Sequence, residues 1–127
     1  MHVLLIAADE NDEVVGYAFL APYLDSKLRI VDTQTAVLQH ICVAPPHRKD
    51  KLATALEQEG VALARDAGFQ RVVATTTRDG AGLLRALGWD VRERGALAWP
   101  SPMSGKPFIL SDDDRPVAAK ELIRVES

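Results

Sequence analysis

Apolar and polar positions along the chain alternate between two periods. Val3 to Ala7 is apolar, DENDE follows, and VVGYAFL resumes the apolar run, which predicts two strands joined by a polar turn in an antiparallel hairpin. Gly16 inside the second run marks a candidate bulge. The stretch APYLDSKLRIVDTQT is mixed and reads as a loop with a short extension of a neighbouring strand. AVLQHICV is rich in apolar and β-branched residues and stops at Pro45 and Pro46, which have no N–H to give a ladder, so it reads as a buried strand.

Helical spacing then takes over. Leu52, Ala55, Leu56, Leu63 and Ala67 predict a helix from Lys51 to Ala67, closed by Gly68 with Phe69 after it. Gly60 inside that helix costs about 1 kcal/mol relative to Ala, and close packing on a sheet is the reason to accept it. RVVATTT returns to strand character, so strand, helix and strand form a βαβ unit with parallel strands. DGAGLLRALG predicts a short helix with Asp79 as N-cap and Gly88 as its stop, and WDVRERGALAW predicts a returning strand. From Pro100 to Pro116 the Ser, Gly, Pro and DDD content predicts a solvated loop with PFIL docked on the body. VAAKELIRV fits either a helix start near Asp114 and Pro116 or a strand, with the strand preferred.

Composition narrows the class. The 127 residues suit one domain, expected to span 1–127, and 47% hydrophobic with 26% charged residues is the make-up of a soluble globular protein. A formal charge of −3 gives no overall basic field, so no nucleic-acid partner is expected. Cys42 is the one cysteine, which precludes an intrachain disulfide and suits a reducing, cytoplasmic setting. The apolar start lacks a basic lead and meets Asp9 and Glu10 too soon for a signal peptide, and nothing approaches the roughly 20 apolar residues of a membrane span.

The charge pattern around the first helix is its most informative feature. Arg48, Lys49 and Lys51 crowd the end where the helix dipole is positive, a place that favours acidic side chains. Backbone N–H groups at a helix start have no intrahelical partners and, with the dipole, make a seat for a phosphate. A bound diphosphate would turn the three cations from an unfavourable cluster into partners. The alternative is three solvated cations with Asp50 capping the helix. Neither GxGxxG nor GxxxxGK[ST] occurs in the chain.

On these residues the chain resembles a known family. LQHICVAPPHRKDKLATAL is similar to the central acyl-CoA-binding segment of the GNAT family of N-acetyltransferases, in which a strand and V-x-P precede [QR]-x-x-G-x-[GA] at the start of a long helix. Arg48 fills the first position of that motif and Ala53 the last, with Val43 and Pro45 ahead of them; GLLRALGW resembles the family's later LYxKLGF segment. The resemblance implies an α/β fold with a mixed α+β sheet: an antiparallel N-terminal hairpin, a central βαβ unit, and one or more C-terminal strands. It divides the chain into a recognisable core at 1–99 and a loop with a C-terminal strand at 100–127. It further implies acetyl-CoA or another acyl-CoA as cosubstrate and a small-molecule or protein amine as acceptor. The pantetheine arm would bond the backbone from Ile41 through Cys42 to Val43. The pyrophosphate would sit on N–H groups from Lys49, Asp50, Lys51, Leu52 and Ala53, beside Arg48.

The chain departs from the family pattern in three places. The motif glycine is Lys51, whose side chain crowds the close backbone approach that glycine allows, or else contacts a phosphate. The tyrosine that often protonates the leaving thiolate is Leu84, which has no proton to give. The chain also begins at what resembles the family's second strand, which leaves the acceptor side open or closed by a partner subunit, and a homodimer is the expected remedy.

Among groups that carry chemistry, His40 is the candidate base because it is an imidazole, but strand alternation sets it opposite Gln39, Ile41 and Val43. His40, Cys42 and His47 fall short of a metal set, so no metal is expected. Cys42 lacks an orienting triad and reads as core. Tyr17, Tyr23, Trp89 and Trp99 either line an acceptor pocket or pack, with packing preferred. The sequence therefore points to an acyl-CoA-dependent N-acyltransferase acting by direct attack, with a catalytically silent acyl-CoA-binding or regulatory protein on the same fold as the alternative.

Overall fold

Strands β1 (Val3–Ala8) and β2 (Val14–Asp25) form the antiparallel hairpin in the computed structural model, which describes residues 2–25, 29–48, 51–101, 105–112 and 114–122. The Asp9 carboxylate caps their turn by accepting from the N–H groups of Asn11 at 2.8 Å and Glu13 at 3.0 Å. The register slips between Ala7 and Ala8, which face Gly16 and Val14, so the bulge lies beside the glycine that marks it. A Cβ on Gly16 would stand 3.0 Å from the Cys42 carbonyl oxygen, so glycine lets the next strand approach.

That next strand, β3 (Ile30–Val43), is longer than the sequence pattern indicates. The segment expected to be a loop extends both β2 and β3. Its mixed pattern reflects a break in register between Pro22 and Tyr23, which face Ala36 and Asp32 and leave Thr33, Gln34 and Thr35 out of the ladder with β2. Asp32 and Thr35 are fully buried. The Asp32 carboxylate accepts the Thr35 hydroxyl at 2.7 Å, the Gln34 N–H at 2.8 Å and the Trp99 indole N–H at 2.8 Å. A polar residue thus occupies the core because all its neighbours bond it.

After a 3₁₀ turn at Pro45–His47, helix α1 (Leu52–Asp66) leads to β4 (Arg71–Thr75), then α2 (Arg78–Ala86), β5 (Asp90–Arg92), β6 (Ala96–Pro100), β7 (Pro107–Ser111) and β8 (Val117–Glu121). The principal sheet has the order β1-β2-β3-β4-β8-β5, with β3 and β4 parallel and the other pairs antiparallel. WDVRERGALAW is therefore two strands in two sheets, because Gly95 at φ +116° breaks the run. The expected loop from Pro100 onward forms most of the β6–β7 hairpin, and PFIL is β7 itself with Phe108 fully buried. VAAKE is a strand as preferred, and 123–127 lie outside the described residues.

The strands' alternate positions divide the core in two. Ala36, Leu38, Val72, Ala74 and Ala118 face α1 and α2, whereas Val37, Val73 and Ala119 face Trp99 and Phe108 of the hairpin. Gly60 is where α1 touches the sheet most closely: a Cβ there would lie 3.0 Å from Leu38 Cδ1. Helix α2 is capped by Thr77, not Asp79, because the Thr77 hydroxyl accepts the Gly80 N–H at 3.1 Å; Asp79 stands in the first turn, where it suits the dipole.

Candidate functional site

Strands β3 and β4 pair only at Thr35–Arg71, Ala36–Val72 and Val37–Val73. Beyond Val37, β3 continues six residues to Val43, whereas β4 stops at Thr75 two residues past Val73. A wedge therefore opens between parallel neighbours, with α1 beginning at its mouth.

The last residue of β3 offers its polar groups to that wedge. Val43 pairs with Gly16, and the adjoining bond runs from the Ala44 N–H to the Val15 carbonyl at 2.7 Å. In an antiparallel ladder this makes Gly16–Val43 a non-hydrogen-bonded pair, so Val43's own N–H and C=O point away from β2. Arg48 folds back and donates its Nε to the Val43 carbonyl at 3.2 Å. Among the described residues the Val43 N–H lies outside the ladder with β2, and β4 does not reach it.

A second irregularity lies within the wedge wall. Tyr17 faces Cys42 and Phe19 faces Gln39, so β3 carries one more residue than β2 here, and His40 takes a left-handed φ of +57°. This bulge leaves a residue out of the ladder and reverses the facing of the residues after it. Gln39 therefore lies on the face opposite Ile41 and Val43, which pack toward the helices; the alternation expected through 39–43 does not hold. His40 is exposed at the bulge. Cys42 is exposed as well, not core. Cys42 faces Tyr17 across the ladder and raises the Tyr17 pKa above its usual 10, by hydrogen bonding first and by Coulomb repulsion second. The interruption was visible in the sequence only as the three-residue spacing of Leu38 and Ile41.

At the mouth, Lys51 is the N-cap of α1 with φ +60° and ψ 24°, its side chain makes no cap hydrogen bond, and the first turn has no acidic residue. The left-handed conformation explains why a glycine belongs in such a motif, since a side chain there costs roughly 1–2 kcal/mol. Leu52 and Ala53 form the first turn, half-buried, and Arg48 is exposed beside them. Lys49 and Asp50 lie outside the described residues. Leu84 is buried among the core of α2, 3% exposed, and presents only carbon. Among the described residues no three His, Cys, Asp or Glu side chains are grouped to hold a metal, and no helix is long and apolar enough to cross a membrane.

The wedge, the bulge and the start of α1 form one arrangement, and the sequence that builds it matches a known pattern. The model of the acetyltransferase (GNAT) family matches residues 1–89. The chain belongs to the GNAT acetyltransferase family. Solved GNAT folds share its architecture. An acetyltransferase of the family from Staphylococcus aureus Mu50 superposes with a TM-score of 0.70 at 17% identity, over 96% of this chain and 68% of that one. A phosphinothricin acetyltransferase from Sinorhizobium meliloti, solved with acetyl-CoA, gives 0.68 at 19% identity, over 95% and 61%. An aminoglycoside 6′-N-acetyltransferase complexed with coenzyme A gives 0.67 at 17% identity, over 99% and 76%. At these identities the likeness is one of fold. Among the curated proteins none matches this sequence.

Proposed function

We propose that the protein is an acyl-CoA-dependent N-acyltransferase, with acetyl-CoA as the first choice of donor, working as a single cytoplasmic domain that self-associates through its N-terminal hairpin. The observation that carries this reading is the wedge between β3 and β4, with a helix start at its mouth whose N-cap, Lys51, makes no side-chain cap bond. The residues fit such a donor. Val43's N–H, outside the ladder with β2, would meet the amide-bearing pantetheine arm beside Ile41 and Cys42, and the first-turn N–H groups from Lys51 to Ala53, with Arg48, would meet the pyrophosphate. Lys49 and Asp50 complete that loop in the sequence.

A bound acyl-CoA supplies the thioester to be cleaved. In direct attack the acceptor nitrogen forms a bond to the acyl carbon as the carbon–sulfur bond breaks; the ammonium proton leaves to a base or water, and the departing thiolate takes one up. Leu84 has no part in either proton transfer. His40 is the exposed imidazole nearest the bulge and the candidate base, directly or through water.

A second reading, a silent acyl-CoA binder, is favoured by the same Leu84 and by the strained Lys51. Thiol release from acetyl-CoA across an amine panel separates the two. Turnover with any amine supports the enzyme, whereas tight coenzyme binding with no turnover supports the binder.

A further inference from the structure

Beyond the wedge, the same end of the sheet holds a cavity of about 450 Å³ lined by Arg78, Glu93, Arg94, Asp114 and Pro116. The topology brings these residues together. Thr75 at the end of β4 faces Val117 at the start of β8, Arg92 at the end of β5 faces the same Val117, and the Thr76 N–H bonds the Pro116 carbonyl at 3.0 Å. The first residue of α2, the β5–β6 turn and the β7–β8 turn thus converge on the side of β4 away from β3.

Four charges, two of each sign, share this cavity without pairing across it. The ion pair made by one of them is Glu93 with Arg85 at 4.0 Å, and Arg85 is not in the lining; among the described residues Arg78 and Arg94 have no carboxylate within pairing distance. Opposite charges around one space gain by closing on each other or by sharing a molecule set between them. Coenzyme phosphates fit poorly, because Glu93 and Asp114 would repel them and the cations at the start of α1 lie on the other side of β4. A zwitterion meets both signs at once: its carboxylate matches the planar forks of the arginines, and its ammonium matches the carboxylates.

We infer that this cavity seats the acceptor, and that the acceptor is an amine carrying a carboxylate, of amino-acid size. This deepens the N-acyltransferase reading and rests on it. The volume lies within the usual range for small-molecule sites. β4 has the wedge on its β3 side and, at Thr75, the β8 start that borders the cavity on its other side, so one strand separates the acceptor's seat from the wedge.

The test uses matched amines that differ in the carboxylate, 5-aminopentanoate against pentylamine and L-alanine against ethylamine, with acetyl-CoA and the full chain. At least one carboxylate-bearing member should have a KM about 10-fold or more below its partner's. Arg78→Ala and Arg94→Ala should each raise the KM of that carboxylate-bearing member about 10-fold, toward its plain partner's, and so remove the preference. Direct titration of 5-aminopentanoate and L-alanine, followed by NMR of the arginine Nε signals, gives a readout independent of turnover: binding of either to the wild-type chain that Arg78→Ala abolishes supports the site even if no amine is acetylated, a result that would instead sink the enzyme reading. Equal KM values within both pairs, no titratable binding of either zwitterion, or arginine variants that weaken acetyl-CoA binding alone would each overturn the inference, the last by giving the cavity to a coenzyme phosphate.

Discussion

Trp89 donates its indole N–H to the carboxylate of Glu57 at 3.0 Å, and that carboxylate, 1% exposed within α1, lies 3.8 Å from the ammonium of Lys120 on β8. Lys120 also donates to the Leu87 carbonyl at 2.9 Å. One buried group thereby ties α1, the end of α2 and β8 together.

Removing one partner of a buried pair leaves the other uncompensated. Lys120→Ala should therefore destabilise the fold by roughly 3 kcal/mol or more, and Glu57→Leu should be costly too, because it strips both Lys120 and the Trp89 indole N–H of their acceptor; replacing both charges together, Glu57→Leu with Lys120→Met, should cost less than the two single losses summed. Urea denaturation of the three variants checks this. A double variant that loses as much as the two single variants summed would contradict it.

Asp32 should hold the β6–β7 hairpin on the sheet. Asp32→Ala strips the Trp99 indole, the Thr35 hydroxyl and the Gln34 N–H of their acceptor, with an expected cost of roughly 2–4 kcal/mol. Trp99 packs against Tyr23 at 5.3 Å between ring centroids, so its fluorescence should report the loosening. An unchanged emission spectrum and unfolding midpoint would contradict this account of the hairpin.

Burial, then the nearby Asp25 and Asp32 carboxylates, raise the Tyr23 pKa above 10. A raised folded-state pKa means that the folded chain holds the proton longer than the unfolded one, so this contribution is intact below pH 10 and is lost as pH rises through the higher folded value. Stability should fall above about pH 10, and Tyr23→Phe should make that fall shallower. Thermal unfolding between about pH 9 and 11 reads the difference.

Much of this architecture was legible in the sequence because it follows from local pattern. The hairpin, the βαβ unit, the close contact at Gly60 and the C-terminal strand all rest on periodicity and glycine placement. The illegible parts depend on distant partners. Asp32 reads as a loop residue because its indole donor is 67 positions away. The bulge at His40 carries no glycine to announce it, and Cys42, apolar in character, reads as core until the bulge turns it outward beside Tyr17. The hairpin arm was hidden by the Pro, Ser and Gly content of its turn, although Trp99 and Phe108 flanking that turn are the residues an arm would need to dock.

Lys51 should be strained by its conformation. Lys51→Gly should stabilise the chain by up to about 1 kcal/mol, the steric relief being partly offset by glycine's unfolded-state freedom. If the unfolding free energy falls instead, the lysine side chain makes a contact that outweighs its backbone strain.

Leu4 and Ile6 on β1 are exposed by 57% and 56%, and Tyr17 opposite Ile6 is exposed too, on an edge strand free to pair. Sedimentation at micromolar concentration should show a two-fold dimer, and Leu4→Lys with Ile6→Glu should return it to a monomer of 13.8 kDa. A wild-type monomer would remove self-association from the account.

The central claim, that the mouth of the wedge holds the coenzyme's pyrophosphate, is tested most directly by calorimetric titration of acetyl-CoA into the wild-type chain, Arg48→Glu and Arg65→Glu. Both substitutions reverse a charge on or beside α1, but Arg65 lies in its last turn, away from the wedge. The account predicts saturable one-to-one binding that Arg48→Glu weakens by about 10-fold or more, as a charge-assisted contact becomes repulsion, and that Arg65→Glu leaves unchanged. No binding to the wild-type chain, or equal dissociation constants for all three proteins, would contradict it.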